Sequence, residues 1–273
     1  MFFFKKIFEF YILSNIHVSF AAFCLVKITL FEYGINDDVT PLFVFFATII
    51  SYNFIRVYKI DEINFIAATW IRSNKKVLLV LNVISLLLLS VLLFKLDVKE
   101  IILLTPLFFA TVFYVIPFSS KKNLRKIAGF KLFVITFTWA CVTVLFPLFH
   151  SEVQFSNSVW VLFLQRFLFF IAVIIPFDIR DMNLDSPEIK TLPHTIGIKG
   201  SKLVGSIALL LFLGLEFFRV SNIENSMIIT FIIAIISFSF LINSGKNQNR
   251  FYSSFWVEAL PILWFLLIYF SNE

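Results

Sequence analysis

Nine strongly apolar segments divide this chain, and each is about as long as a helix needs to be to cross a membrane. A hydrocarbon core about 30 Å thick requires roughly 20 residues of helix, and helices satisfy their backbone N–H and C=O groups internally. The pattern therefore predicts an all-α polytopic membrane protein. The segments lie at about 10–31, 41–58, 77–94, 101–118, 130–149, 158–177, 203–218, 226–242 and 255–270.

The composition excludes an ordinary soluble domain, because 60% of the residues are hydrophobic and only 15% are charged. The net charge of +6 does not indicate nucleic-acid binding, because the basic residues border the apolar segments. Cys24 and Cys141 lie inside apolar segments, which favours buried free thiols over a disulfide or a metal site. The sequence also contains no Gly-rich phosphate loop and no G-x-S-x-G motif.

The distribution of Lys and Arg predicts the orientation in the membrane. One set of loops carries nearly all of them, whereas the opposite loops carry only Lys95, Lys99 and Arg219. The positive-inside rule then places the N-terminus and the loops after segments two, four, six and eight in the cytoplasm. With nine spans, the C-terminus is expected outside.

A polar stretch at 174–203 follows the sixth segment and carries Asp178, Asp181 and Asp185. On a helix this spacing places all three carboxylates on one face. Carboxylate clusters are typical Mg²⁺ ligands, and the metal usually bridges to substrate phosphates. A solvated loop between two membrane helices is the alternative, and the spacing alone leaves both open.

The same stretch resembles the second aspartate-rich motif of the UbiA-type intramembrane prenyltransferases. That motif has the form D-x-x-D-x-x-x-D followed by T-L-P-x-x-x-G. The residues that carry the resemblance are Asp178, Asp181, Asp185, Thr191, Leu192, Pro193 and Gly197.

The first motif of that family, N-D-x-x-D-x-x-x-D, is only partly present after the second segment. Asn53 and Asp61 match it at the right separation, but Phe54 and Val57 replace two aspartates. Phe and Val cannot ligate a cation, so one of the family's two Mg²⁺ sites is incomplete. Arg56 and Lys59, in the same stretch, supply either a compensating positive charge or ordinary membrane anchoring. A third stretch also resembles the family's Tyr–Pro–Lys/Arg segment through Tyr114, Pro117, Ser119, Ser120, Lys121, Lys122, Lys131 and Trp139.

The resemblance implies a single UbiA-like helical domain over residues 1–273, with about nine helices around a central lipid-accessible cavity. It implies an enzyme that transfers a prenyl group from a prenyl diphosphate to an aromatic or other small acceptor, with Mg²⁺ assisting diphosphate departure. The expected metal ligands are Asp61, Asp178, Asp181 and Asp185, of which the last three are also the expected catalytic residues. The expected diphosphate-binding residues are Asn53, Arg56, Lys59, Lys121, Lys122 and Lys190. The expected substrate-pocket residues are His17, Tyr52 and Tyr114.

Two questions stay open at the level of sequence. His17 is expected either to face the pocket or to make a hydrogen bond between packed helices. Arg166 and Glu216 suggest a structural ion pair within the membrane.

The alternative to the enzyme is a catalytically degenerate lipid-binding or scaffold protein of the same fold. A secondary transporter is disfavoured, because the polar residues collect at one membrane face.

Overall fold

The chain folds into helices throughout the residues that the computed structural model describes, which are 2–58, 60, 65–116, 130–184, 191–219 and 225–271. The α-helices are α1 (Phe2–Leu13), α2 (Ile16–Glu32), α3 (Val39–Tyr58), α4 (Phe65–Ser73), α5 (Lys75–Leu93), α6 (Val98–Val115), α7 (Phe130–Ala140), α8 (Phe146–His150), α9 (Asn157–Asp181), α10 (Leu192–Glu216), α11 (Ser226–Asn243) and α12 (Leu260–Ser271). A π-helical turn at Cys141–Leu145 joins α7 to α8, and another at Tyr252–Val257 precedes α12. No strand occurs in these residues, so the all-α prediction is confirmed.

Eight helical segments of the described chain are long and apolar enough to cross a membrane. The pair formed by α1 and α2, bent by 61°, supplies a ninth when it is counted as one span. The bend lies at Asn15, whose φ of 66° and ψ of 14° are left-handed, a conformation that asparagine adopts more readily than most residues. The nine helical segments overlap the nine apolar segments of the sequence, although the seventh begins at Leu192 instead of about residue 203.

The centre of the bundle is built around α9. This helix packs against α7, α10 and α11, while α2 packs against α3 and α12. Phe169, Phe212 and Trp264 form the aromatic middle of the core, with ring centres 5.4 to 5.8 Å apart. Edge-to-face contacts of this kind stabilise more than buried area alone predicts.

The helices α5 and α6 lie at the periphery. Only 11% of the apolar stretch of each helix is buried, and most of the exposed side chains are Leu, Val, Ile and Phe. An apolar surface this extensive requires a lipid environment rather than water. The described helices therefore indicate an integral, multi-pass membrane protein.

A network of buried charges lies at the end of the bundle where α2 and α10 finish. The Nη2 atom of Arg219 is 3.0 Å from Glu32 Oε1 and 3.1 Å from Glu216 Oε1. The Gln165 amide nitrogen donates to Glu216 Oε2 at 2.7 Å, and its oxygen accepts from Arg219 Nη1 at 2.7 Å. Glu216 is thus paired with Arg219. The prediction of an Arg166–Glu216 pair was therefore wrong.

Arg166 is bonded to α2 instead. Its Nη1 atom donates to the Leu25 carbonyl at 3.3 Å and its Nη2 atom to Thr29 Oγ1 at 3.4 Å. The guanidinium also lies 5.1 Å from the ring centre of Trp264, within the range of a cation–π contact. These contacts join α2, α9 and α12 through one fully buried arginine.

Candidate functional site

Asp178 is the more buried of the two predicted metal ligands that the structure describes. It lies near the end of α9, with its side chain 2% exposed, and its Oδ1 atom is 2.7 Å from Lys131 Nζ. Lys131 comes from the first turn of α7, and its side chain is 9% exposed. A buried ion pair of this kind stabilises only as a pair, because removing either partner leaves an uncompensated charge.

Asp181 lies one helical turn after Asp178, so the predicted shared face is present for these two residues. Arg180 Nε donates to Asp181 Oδ1 at 2.7 Å and Arg180 Nη2 donates to Asp181 Oδ2 at 3.0 Å. The guanidinium also lies 5.2 Å from the ring centre of Phe177. Both carboxylates of this face are therefore engaged by cations.

Arg56, on the last turn of α3, reaches the same region. Its Nη1 atom donates to the Leu13 carbonyl at 2.8 Å and so satisfies an unpaired group at the end of α1. Its guanidinium also lies within electrostatic range of Arg180, Asp181 and Glu258. Arg56 thus anchors the break between α1 and α2.

Glu258 is a member of this cluster that the sequence did not indicate. It follows the π-helical turn Tyr252–Val257, and its amide nitrogen donates to the Ser253 carbonyl five residues earlier, at 3.1 Å. Its carboxylate lies within electrostatic range of Arg56 and Arg180. A single glutamate in an apolar segment matches no motif, so the sequence provided no reason to select Glu258. The π-helical turn before it could have drawn attention to it, because such turns are frequent at functional sites.

Aromatic side chains line one side of the cluster. Tyr52 packs edge-on against Trp139, with ring centres 6.2 Å apart. Trp139 stacks in turn on Phe170 at 5.5 Å. Tyr52, one of the predicted pocket residues, thus belongs to an aromatic cluster one helical turn before Arg56 on α3, and Tyr114 lies at the end of α6.

We call this cluster the α9 site. Its members are Tyr52, Arg56, Tyr114, Lys131, Trp139, Phe170, Asp178, Arg180, Asp181 and Glu258.

Asn53 lies outside this group and belongs to a chain of three amides. Asn15 Nδ2 donates to Asn53 Oδ1 at 2.8 Å, and Asn53 Nδ2 donates to Asn82 Oδ1 at 3.1 Å. The chain fastens α3 to α5 and to the left-handed residue between α1 and α2. These bonds give Asn53 a structural role, and its diphosphate contact stays a prediction.

His17 makes the hydrogen bonds between packed helices that the sequence left open. Its Nδ1 atom is 3.0 Å from the Tyr11 hydroxyl and its Nε2 atom is 2.9 Å from the Phe255 carbonyl. The imidazole also stacks on the Phe255 ring, with centres 5.0 Å apart. These contacts join α1 and α2 to the π-helical turn before α12.

The T-L-P-x-x-x-G motif fixes the start of α10 against the end of α9. Thr191 Oγ1 lies 2.7 Å from His194 Nδ1, and His194 Nε2 lies 3.2 Å from the Met182 carbonyl. Gly197 then interrupts α10 with φ 74° and ψ 171°. That combination is essentially restricted to glycine, which accounts for the last residue of the motif.

Six predicted site residues lie outside the described residues, so the roles expected for them stay predictions. They are Lys59, Asp61, Lys121, Lys122, Asp185 and Lys190.

The carboxylates that the structure describes do not fit a Mg²⁺ site as they stand. No group of three or more His, Cys, Asp and Glu side chains in this part of the chain is arranged to hold a metal ion. A metal ion at Asp178 Oδ1 or at either oxygen of Asp181 would have to displace a cation. The α9 site is better described as a cluster of ion pairs.

No family model, curated protein or solved structure matches this chain. The resemblance to the UbiA-type prenyltransferases therefore rests on the motif residues themselves.

Proposed function

We propose that the α9 site binds the diphosphate group of a prenyl diphosphate and that the protein transfers the prenyl group to an aromatic or other small acceptor in the membrane. The observation that carries this proposal is that Arg56 lies one helical turn after Tyr52 on α3, and that Tyr52 packs against Trp139. Arg56, Lys131 and Arg180 supply the cationic groups. Tyr52 and Trp139 supply the aromatic groups.

The chemistry of such a transfer suits these residues. The bond between the allylic carbon and the diphosphate oxygen breaks, and the diphosphate leaves with the electron pair. Arginine and lysine N–H groups stabilise the charge that develops on the departing oxygens. The acceptor forms the new bond to the allylic carbon and releases a proton, which the diphosphate can accept.

The aromatic wall suits the other half of the reaction. An allylic cation is attracted to the faces of Tyr and Trp rings, and an apolar surrounding keeps it from water. Trp139 packs between Tyr52 and Phe170 and is our candidate for this role. We assign donor binding to the charged groups of the site and cation shielding to its rings.

Binding of farnesyl diphosphate to the purified protein in lipid nanodiscs tests the proposal. We expect Arg56→Ala to weaken binding about 10-fold or more, because a charge-assisted hydrogen bond contributes roughly 1.5–3 kcal/mol. Arg250→Ala is the matched control, because Arg250 pairs with Glu9 instead of the α9 site. If both substitutions change farnesyl diphosphate binding equally little, Arg56 has only an anchoring role.

A catalytically degenerate lipid-binding or scaffold protein is the second candidate. Phe54 and Val57 favour it, because they stand where the family carries aspartates and are exposed in the structure. The two candidates differ in turnover. Donor binding without release of diphosphate in the presence of a panel of aromatic acceptors would favour the second.

A further inference from the structure

The helix α1 is amphipathic. Four of its apolar residues follow the i, i+3, i+4, i+7 spacing that places side chains on one face of a helix. They are Phe4, Ile7, Phe8 and Tyr11. The charged residues of α1 lie on the other side of the helix. They are Lys5, Lys6 and Glu9.

The bend at Asn15 turns α1 away from the direction of α2. Twelve residues of helix are about 18 Å long, and α1 is inclined to α2 by 61°. Hydrogen bonds hold the bend, because Arg56 Nη1 donates to the Leu13 carbonyl and Asn15 Nδ2 donates to Asn53 Oδ1. A helix of this length cannot cross a hydrocarbon core about 30 Å thick. The helix α1 is therefore not a span by itself.

The contacts of α1 with the loop after α11 show its level in the membrane. Glu9 Oε1 is 3.2 Å from Arg250 Nη1, and the rings of Phe8 and Phe251 meet edge to face at 5.2 Å. Both partners lie in the polar stretch between α11 and the π-helical turn that precedes α12. Loops rich in Lys and Arg mark the membrane surface, so this part of α1 lies at the surface as well.

A second contact gives the same level. The ring of Phe10 lies 6.1 Å from that of Trp70 on α4. The short helix α4 ends just before Lys75 and Lys76, the exposed lysines with which the apolar helix α5 begins. Trp70 thus precedes the point where α5 enters the hydrocarbon, and tryptophan is typical of the membrane–water interface. The helix α1 packs against α4 at this border.

Only part of the apolar face of α1 is covered by protein. Phe8 packs against Phe255, and Tyr11 packs against His17. Nearer the N-terminus, Phe4 is 76% exposed and Ile7 is 50% exposed. The Lys5 side chain is also exposed. An amphipathic helix at a membrane surface buries such apolar side chains at the acyl-chain boundary, while its lysines attract anionic lipids.

We propose that α1 lies along the membrane surface, on the side of the Lys- and Arg-rich loops, and binds anionic phospholipid. Phe4 and Ile7 enter the acyl-chain boundary, and Lys5 pairs with a lipid phosphate group. The first crossing is then made by α2 alone, whose 17 residues are just enough for a transmembrane helix. This surface is separate from the α9 site and does not depend on the proposed function.

Nitroxide labels at Phe4→Cys, Lys5→Cys and Ile7→Cys test the position of α1. The protein is placed in nanodiscs of equal parts phosphatidylcholine and phosphatidylglycerol, and collisions of each label with oxygen and with a water-soluble nickel chelate are compared by electron paramagnetic resonance. Oxygen concentrates among acyl chains, whereas the chelate stays in water. We expect the labels replacing Phe4 and Ile7 to favour oxygen and the label replacing Lys5 to favour the chelate.

Two exposed positions calibrate the measurement. Ile84→Cys, midway along α5, is the reference for hydrocarbon, and Lys246→Cys, in the loop after α11, is the reference for water. Preference for the chelate at all three positions of α1 would overturn the proposal, because α1 would then lie in water. Preference for oxygen that rises steadily from position 4 through 5 to 7 would also overturn it, because α1 would then continue α2 as one inclined span.

The photo-crosslinking residue benzoylphenylalanine in place of Phe4 tests the class of lipid in the same nanodiscs. We expect more adducts with phosphatidylglycerol than with phosphatidylcholine. We expect Lys5→Gln to lower that ratio about 5-fold, because a lysine near an anionic surface contributes about 1 kcal/mol. Lys199→Gln, at an exposed position on α10, is the matched control and is expected to leave the ratio unchanged. Equal adducts with both lipids, or crosslinks to a second copy of the protein in place of lipid, would contradict the proposal.

Discussion

A carboxylate buried at the end of a membrane helix needs a counter-charge, and Asp178 has one in Lys131. Sequence periodicity predicted correctly that Asp178 and Asp181 share a face of α9, since residues three apart on a helix are neighbours. It could not identify Lys131 as the partner, because the approach of α7 to α9 is a property of the tertiary structure. It also missed Glu258, which has no neighbouring motif residue and comes within electrostatic range of Arg56 only in the folded chain.

Asn53 matches a position of the motif and also has a structural role. Its amide group accepts from Asn15 and donates to Asn82. Motif spacing indicated the right position but not these partners, which come from two other helices. The sequence alone shows that Phe54 and Val57 stand where the family motif has aspartates. Both side chains are exposed on α3.

Replacing Gly197 with alanine tests the reason for the last residue of the motif. Its φ of 74° and ψ of 171° are strained for any side chain, although a Cβ would meet no atom within 4 Å. We expect a loss of about 1–3 kcal/mol of stability from backbone strain, measured as a lower Tm in detergent. Gly214→Ala, in the regular part of α10, is the control and is expected to be neutral or stabilising. Equal Tm values for the two variants would contradict this explanation.

Helix packing around α10 depends on the absence of a side chain at Gly205. A Cβ placed there would lie 2.7 Å from Leu241 Cδ2 on α11 and 3.0 Å from Ile175 Cδ1 on α9. The missing side chain therefore lets α10 approach α9 and α11 closely at the same residue. The glycine was visible in the sequence, but its neighbours were not.

Replacing Gly205 with valine is therefore expected to push α10 away from α9 and α11. Overpacking of this kind typically costs about 1–3 kcal/mol, measured as a lower Tm in detergent. The double variant with Leu241→Ala removes the nearer clash, and we expect it to recover part of that loss. Strictly additive effects of the two substitutions would show that Gly205 and Leu241 do not interact.

At the scale of the whole molecule, the number and places of the spans were predictable from the sequence because each apolar segment is long and separate. The bend between α1 and α2 was not, because it depends on a left-handed Asn15 and on bonds from α3. The charges at the two ends of the bundle also differ in kind. The α9 site joins ion pairs to aromatic rings, whereas the network around Arg219 joins carboxylates, an amide and a guanidinium.

The orientation of the bundle can be tested with membrane-impermeant maleimides. The native thiols give no background, because Cys24 is 0% and Cys141 is 8% exposed. The positive-inside rule predicts that Lys246→Cys reacts only from the cytoplasmic side and Lys95→Cys only from outside. Both positions are exposed in the structure. Labelling of both from the same side would contradict the predicted topology.

The burial of Arg166 constrains the order in which the protein is assembled. The ribosome completes α9 before Glu216, Arg219 and Trp264 exist, whereas α2 has already been made. At that moment the described groups that can receive the Arg166 guanidinium are the Leu25 carbonyl and the Thr29 hydroxyl of α2. We therefore expect α9 to dock on α2 during synthesis, before α10 and α12 close the bundle.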